Sequence, residues 1–81
     1  MKCNDFFISR EEQFSIGIEE ESGVYYISIP FSNHGVDYDE YFEIKKESFD
    51  KYLNDFRSAL KFVELCRSGK NDHLIIKWKW S

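Results

Sequence analysis

The sequence predicts an α+β domain: an antiparallel sheet of four to five strands (a meander, then a helix, then a final strand) with one helical layer on one face. Three observations predict it. Between residues 14 and 45 apolar and polar side chains alternate with the two-residue period of a strand, in stretches separated by turn-forming residues. The apolar spacing then lengthens to three and four, the period of a helix. Near the C-terminus it shortens to two again.

Phe14-Ser15-Ile16-Gly17-Ile18-Glu19 alternates cleanly and reads as a strand, and Glu21-Ser22-Gly23 is a turn signal. Val24 to Phe31 reads as the next strand, with Tyr25, Ile27, Ile29 and Phe31 on one side and Val24, Tyr26 and Ser28 on the other. Pro30 has no N–H to give a ladder, so this strand frays there or has a free edge at that point. Ser32-Asn33-His34-Gly35 makes the following hairpin turn, and an acidic strand over residues 36–45 completes the meander. Phe6-Phe7-Ile8 is a candidate for one further short strand.

The helix is carried by Phe49, Leu53, Phe56, Leu60 and Val63, joined by Tyr52, Ala59 and Cys66. Ser48 is the expected N-cap, Asp50 suits the positive N-terminal end, and Glu47 and Lys51 stand at i,i+4. Arg67 and Gly69 form the stop. The polar pair Asn54-Asp55 offers a break that would split this helix in two. Leu74 to Trp80 supplies the final strand, with Leu74, Ile76, Trp78 and Trp80 on one face and Ile75, Lys77 and Lys79 opposite.

A chain of 81 residues is one domain, residues 1–81. At that size about 60–65% of the unfolded surface is buried, so the core must be efficient. Aromatic residues make up 19% of the chain, and large rings bury the most area per residue ordered. Cys3 and Cys66 belong to no C-x-x-C pair, and Cys66 falls on the apolar stripe of the helix, where it reads as a small buried hydrophobe. No secretory or transmembrane-length apolar run is present, so the expectation is a soluble, cytoplasmic protein with free thiols.

The net charge of −4 conceals an asymmetry. Residues 1–45 carry three bases against ten acids, and residues 46–81 carry eight bases against five acids. The densest acidic stretch is Val36 to Ile44, which interleaves carboxylates with rings. Strand alternation sends Asp37, Asp39, Tyr41 and Glu43 to one face and Val36, Tyr38, Phe42 and Ile44 to the other. The face left uncovered by the helix then carries Tyr26, Ser28, Asp37, Asp39, Tyr41 and Glu43. Glu40 falls among the inward set, which calls for either a bulge near Asp39-Glu40, re-aiming Tyr41, or a position at the sheet edge.

No residue pattern points to catalysis, a metal or a cofactor. Asp37-x-Asp39 with Glu40 and Glu43 lacks the glycine and the bidentate glutamate of a calcium loop, and carboxylates alternating along a strand do not converge. His34 and His73, even with Cys66, match no nucleophile or zinc motif. Lys77-Trp78-Lys79-Trp80 suggests a small nucleic-acid-binding module, but alternation parts the rings from the charges, and the acidic first half repels phosphate. Tyrosines beside acids suit protein recognition better: the ring supplies buried area and the charges steer a cationic partner. The expected contacts are Asp37, Asp39, Tyr41 and Glu43, with Tyr26 and Glu19 as neighbours.

The stretch from Tyr25 through Pro30 and Ser32-Asn33-His34-Gly35 to Ile44, with Phe62-Val63-Glu64-Leu65-Cys66-Arg67 at the end of the helix, resembles small bacterial immunity proteins. These are encoded beside contact-dependent growth-inhibition and related polymorphic toxins. The resemblance covers residues 24–68 and leaves out the Lys/Trp stretch. It implies a cytoplasmic protein that binds one toxin domain and blocks its active site or substrate groove. Many such toxins are basic nucleases, to which an acidic inhibitor is the natural complement. The resemblance carries over no individual binding residue.

Overall fold

The computed structural model describes residues 2–76 of the chain. A four-stranded antiparallel sheet runs in the order β1 (Cys3–Ser9), β2 (Phe14–Glu19), β3 (Val24–Asn33) and β4 (Val36–Ile44). It is a simple meander. A helical layer follows, formed by α1 (Lys46–Asn54), a 3₁₀ turn over Phe56–Ala59, and α2 (Leu60–Arg67). The fold is the α+β sandwich the alternation predicts.

The two-residue period sorts each strand into an inner and an outer set. Phe14, Ile16, Ile27, Ile29, Phe42 and Ile44 point to the helical layer and meet Phe49, Ala59, Val63 and Cys66 there, all buried. Each such apolar side chain of Val, Ile or Phe size contributes about 1.5–3 kcal/mol by leaving water. Tyr25 and Phe49 seal one end, with ring centroids 4.7 Å apart. Phe7 seals another, packing on Phe14 at 5.9 Å and stacking on Phe56 at 5.3 Å. Phe7 belongs to β1, a full strand of seven residues where the sequence suggests only Phe6-Phe7-Ile8. Its register on β2 slips between Asp5 and Phe7, so Phe6 is an extra residue that lies edge-on against Phe49.

The outer half of the β3–β4 hairpin stands beyond the rest of the sheet. β2 pairs with Val24 through Ser28 only, whereas β4 pairs with β3 as far as Asn33 opposite Val36. Pro30 therefore sits where β3 has lost its β2 neighbour, and the strand does not fray there. The hairpin turn is tighter than Ser32-Asn33-His34-Gly35: the ladder continues through Ser32 and Asn33, leaving His34 and Gly35 as the loop. Their φ angles of 53° and 79° have the signs of a type I′ turn, whose twist matches that of paired strands. The β4 register runs unbroken past Asp39 and Glu40, so no bulge re-aims Tyr41. Glu40 shares the inner face, half-buried, because β4 is the last strand in the sheet order.

The helical layer differs from one continuous helix. Asp55 adopts an extended conformation and its side chain accepts from the Arg57 N–H at 3.2 Å, ending α1 and starting the 3₁₀ turn. Ser48 is not the N-cap. The helix begins at Lys46, one residue after the strand, with Lys45 at the cap position and no side-chain cap. The ion pair on α1 is Lys46–Asp50 at 2.9 Å, one position before the expected Glu47/Lys51 pair. The end of α2 is as expected: Gly69 has φ +86°, with Gly69 N–H bonded to Cys66 O and Lys70 N–H to Leu65 O, a Schellman arrangement. Arg67 Nη2 donates to the carbonyls of Glu12 and Gln13, tying the β1–β2 turn to α2.

Beyond α2 a 3₁₀ turn over Asp72–Leu74 returns the chain to the free side of β4, where Ile75 bridges Phe42 and Ile76 N–H donates to Tyr41 O at 2.7 Å. The final strand predicted over Leu74–Trp80 starts no earlier than this contact. Lys77, Trp78, Lys79 and Trp80 lie outside the described residues. Among the described residues no helix is long and apolar enough to cross a membrane.

Candidate functional site

The helical layer covers one face of the sheet, and the outer set of side chains lies on the other. Register places them in rows. Asp5, Gly17, Tyr26 and Glu43 form one row, Ile8, Ser15, Ser28 and Tyr41 the next, and Pro30 with Asp39, then Ser32 with Asp37, continue it up the hairpin. The central strands thus present glycine and serine between larger groups on the outer strands.

The row at Gly17 is closed. Tyr26 lies across the glycine, and its hydroxyl donates to Asp5 Oδ1 at 2.5 Å, spanning the sheet from β3 to β1. A Cβ on Gly17 would stand 2.3 Å from Asn4 O and 2.6 Å from the Tyr26 hydroxyl oxygen, so the ring occupies the space a side chain would need. Tyr41 packs edge-on against it with centroids 5.1 Å apart. Burial, then the bond to Asp5, pushes the Tyr26 phenol far above its ordinary value, so it stays a donor. Burial pushes Tyr41 up to about 12. Cys3, beside both rings, is raised by burial and next by the Glu19 charge.

Above that closed row the small residues leave space. A basin of about 740 Å³ opens between the β1–β2 end of the sheet and the protruding hairpin, bounded by Asp5, Ile8, Arg10, Asp37, Asp39 and Tyr41. Ser15, Ser28 and Pro30 line it as well. Ser28 is only 9% exposed, and among the described residues its hydroxyl has no hydrogen-bond partner. Asp37 and Asp39 are exposed, and neither forms an ion pair among the described residues. Two positions apart on one strand, their Cα atoms are about 7 Å from each other.

Asp37, Asp39 and Tyr41 are therefore brought together at one cavity. Glu43 shares their face but sits one row lower, opposite Tyr26 and outside the basin. Two expected contacts need correction. Tyr26 is on the outer face yet fully buried, because it fills the gap over Gly17. Glu19 is 3% exposed, and its carboxylate accepts from the N–H groups of Lys2 at 2.8 Å, Glu21 at 3.0 Å and Ser22 at 2.8 Å. Bonding to Ser22, then to Lys2, holds that carboxyl down at about 2. Glu19 organises the β2–β3 turn and the start of β1. Neither residue is presented to a partner.

Asp5, Ile8, Ser15 and Ser28 were missing from the expected site. The outward phase of Ser15 and Ser28 is visible in the alternation, and two small residues there signal a hollow. Asp5 and Ile8 had no such signal, since their place depends on the β1 register and its bulge.

The arrangement sets two exposed carboxylates and a tyrosine ring beside an open hollow. Among the described residues no group of three or more His, Cys, Asp and Glu side chains could hold a metal ion. Cys66 is buried, with its thiol pushed up to about 11 by burial, so it is neutral near pH 7. His34 stands exposed at the hairpin tip and His73 in the last 3₁₀ turn. No protein-family model, no curated protein and no solved structure matches this chain.

Proposed function

We propose that this chain is a binding protein, specifically a toxin-neutralising immunity protein that acts in the cytoplasm by docking its open sheet face on a basic nuclease domain. The observation that carries the binding role is the basin beside Asp37, Asp39 and Tyr41 on the face the helices leave open. Both aspartates lack an ion-pair partner of their own among the described residues, so their field is available to a cation. The aromatic ring beside them offers area to bury. The choice of a toxin as partner rests on the resemblance of residues 24–68 to immunity proteins, and the acidic first half of the chain suits a basic one.

The test begins at the neighbouring genes, where a toxin domain is expected, and uses that domain. Co-expression with that domain is expected to restore growth, and the purified pair to form a complex. Asp37→Lys combined with Asp39→Lys is expected to slow association about tenfold or more at low salt and to flatten its salt dependence, with an unchanged circular dichroism spectrum. Unchanged association kinetics in a folded variant would remove the basin from the interface. Absence of any complex with the wild-type chain would remove the toxin reading itself.

A further inference from the structure

We infer that the basin is an anchor site for one guanidinium group: a single arginine side chain of the partner enters it and ends on Ser28. The inference rests on the docking reading above and names the partner group that the site takes.

Two independent observations meet here. The rim supplies a negative excess: Asp37 and Asp39 on the hairpin and Asp5 across the hollow on β1, against the single cation Arg10. The floor supplies an unmet hydrogen bond. Ser28 is 9% exposed on a central strand, faces the basin, and has no partner among the described residues. Buried polar groups in folded proteins are almost always bonded, and a group left alone is destabilising. Asp5 is not similarly free, since Oδ1 is committed to the Tyr26 hydroxyl and leaves Oδ2 for a ligand.

The spacing of these acceptors selects the cation. Two aspartates whose Cα atoms lie about 7 Å apart along β4, a third across the hollow and a hydroxyl below them offer several separate acceptors, more than a compact point charge is shaped to meet together. A guanidinium presents five N–H donors in one plane and reaches several acceptors at once. Its flat face also suits the walls. Tyr41 on one side offers a ring, and Ile8 on the other, 59% exposed, offers aliphatic surface to the side-chain stem. The basin is open rather than enclosed and lies beside a projecting hairpin, which fits a side chain presented by a protein surface.

The experiment is a two-dimensional ¹H–¹⁵N NMR titration of the full chain with N-acetylarginine amide, and separately with N-acetyllysine amide. Saturable shifts are expected at Ser15, Ser28, Asp39 and Tyr41 with the arginine probe, and at least threefold weaker binding with the lysine probe. Ser28→Ala is expected to weaken the arginine probe about three- to tenfold while leaving the melting temperature equal or higher, because it removes an unmet polar group. Asp37→Asn with Asp39→Asn, a second variant that leaves the floor intact, is expected to weaken it further. Equal binding of the two probes, unsaturated shifts spread over Glu20, Glu21 and Glu47, or wild-type affinity in Ser28→Ala would overturn the anchor. If the anchor fails while lysine reversal at 37 and 39 still slows the toxin, docking stands without it. If the probe binds at the basin and no toxin domain does, the docking reading fails and the guanidinium site remains.

Discussion

The open face of the sheet holds two regions that each set carboxylates beside a tyrosine and that meet opposite fates. At the lower end Glu19, Gly17, Tyr26 and Cys3 are closed into a second, thin layer of packing: one carboxylate is surrounded by N–H groups and one ring lies over a glycine. At the upper end Asp37, Asp39 and Tyr41 border a hollow floored by serines, and neither aspartate has an ion-pair partner among the described residues. The difference lies in what stands opposite. A glycine beside a tyrosine lets the ring lie down and shut out water. A serine beside a serine leaves a gap that no neighbour fills. Acidity is common to both regions; what separates them is that Asp37 and Asp39 form no ion pair among the described residues while Glu19 is bonded on every side.

The sharpest way to break the comparison is to unseat the lower region. Gly17→Ala places a methyl where Asn4 O and the Tyr26 hydroxyl already stand, at 2.3 and 2.6 Å. The ring cannot stay flat and the β1–β2 ladder must shift, which is expected to cost about 3 kcal/mol in urea unfolding. A loss below about 1 kcal/mol would mean that Tyr26 has another place to go and that the lower layer is not close-packed.

How much of this was legible in the sequence follows from the same contrast. Alternation assigned Tyr26, Asp37, Asp39, Tyr41 and Glu43 to their face correctly, since period alone decides side. It could not decide exposure, which depends on the residue across the ladder: Tyr26 is buried because Gly17, nine positions earlier, pairs with it. Glu19 opens the acidic run Glu19-Glu20-Glu21, so it looks like part of a solvated turn. Its fate is set by the N–H groups of Glu21 and Ser22 curling back on it, and by Lys2, just ahead of a strand whose extent is not apparent in the sequence. Glu40 shows the converse. Its polar side chain on an inner phase correctly signalled an edge or a bulge, and only the sheet order could choose the edge. The helix break was legible at Asn54-Asp55. The missing cap at Lys45 was not, since a strand running almost directly into a helix leaves no room for one.

A milder perturbation of the lower region comes through pH. Glu19 titrates at about 2 in the folded chain against an ordinary value of 4.5, so the folded state favours its ionised form. The stabilisation is complete above the unfolded value and is lost as pH falls from about 4.5 toward 2. Melting temperature is therefore expected to drop across that window, and Glu19→Gln to flatten the drop while lowering the plateau near pH 7. If the two curves run parallel down to pH 2, the acid sensitivity belongs to other carboxylates.

The smallest effect on stability is expected where the effect on binding is largest. Asp37 and Asp39 are exposed on the hairpin, next neighbours on one face, and make no ion pair within the described chain. Asp37→Asn with Asp39→Asn removes a like-charge pair and breaks no internal bond, so unfolding free energy is expected to move by less than about 0.5 kcal/mol, toward stability if at all. Relief of repulsion would also shrink as salt rises, since both groups face water. A loss of more than about 1 kcal/mol would mean that these carboxylates hold the hairpin up and belong with Glu19. A near-zero change, with weakened binding of the arginine probe, separates the two regions cleanly: the lower acid serves the fold, and the upper pair is carried by a fold that does not need it.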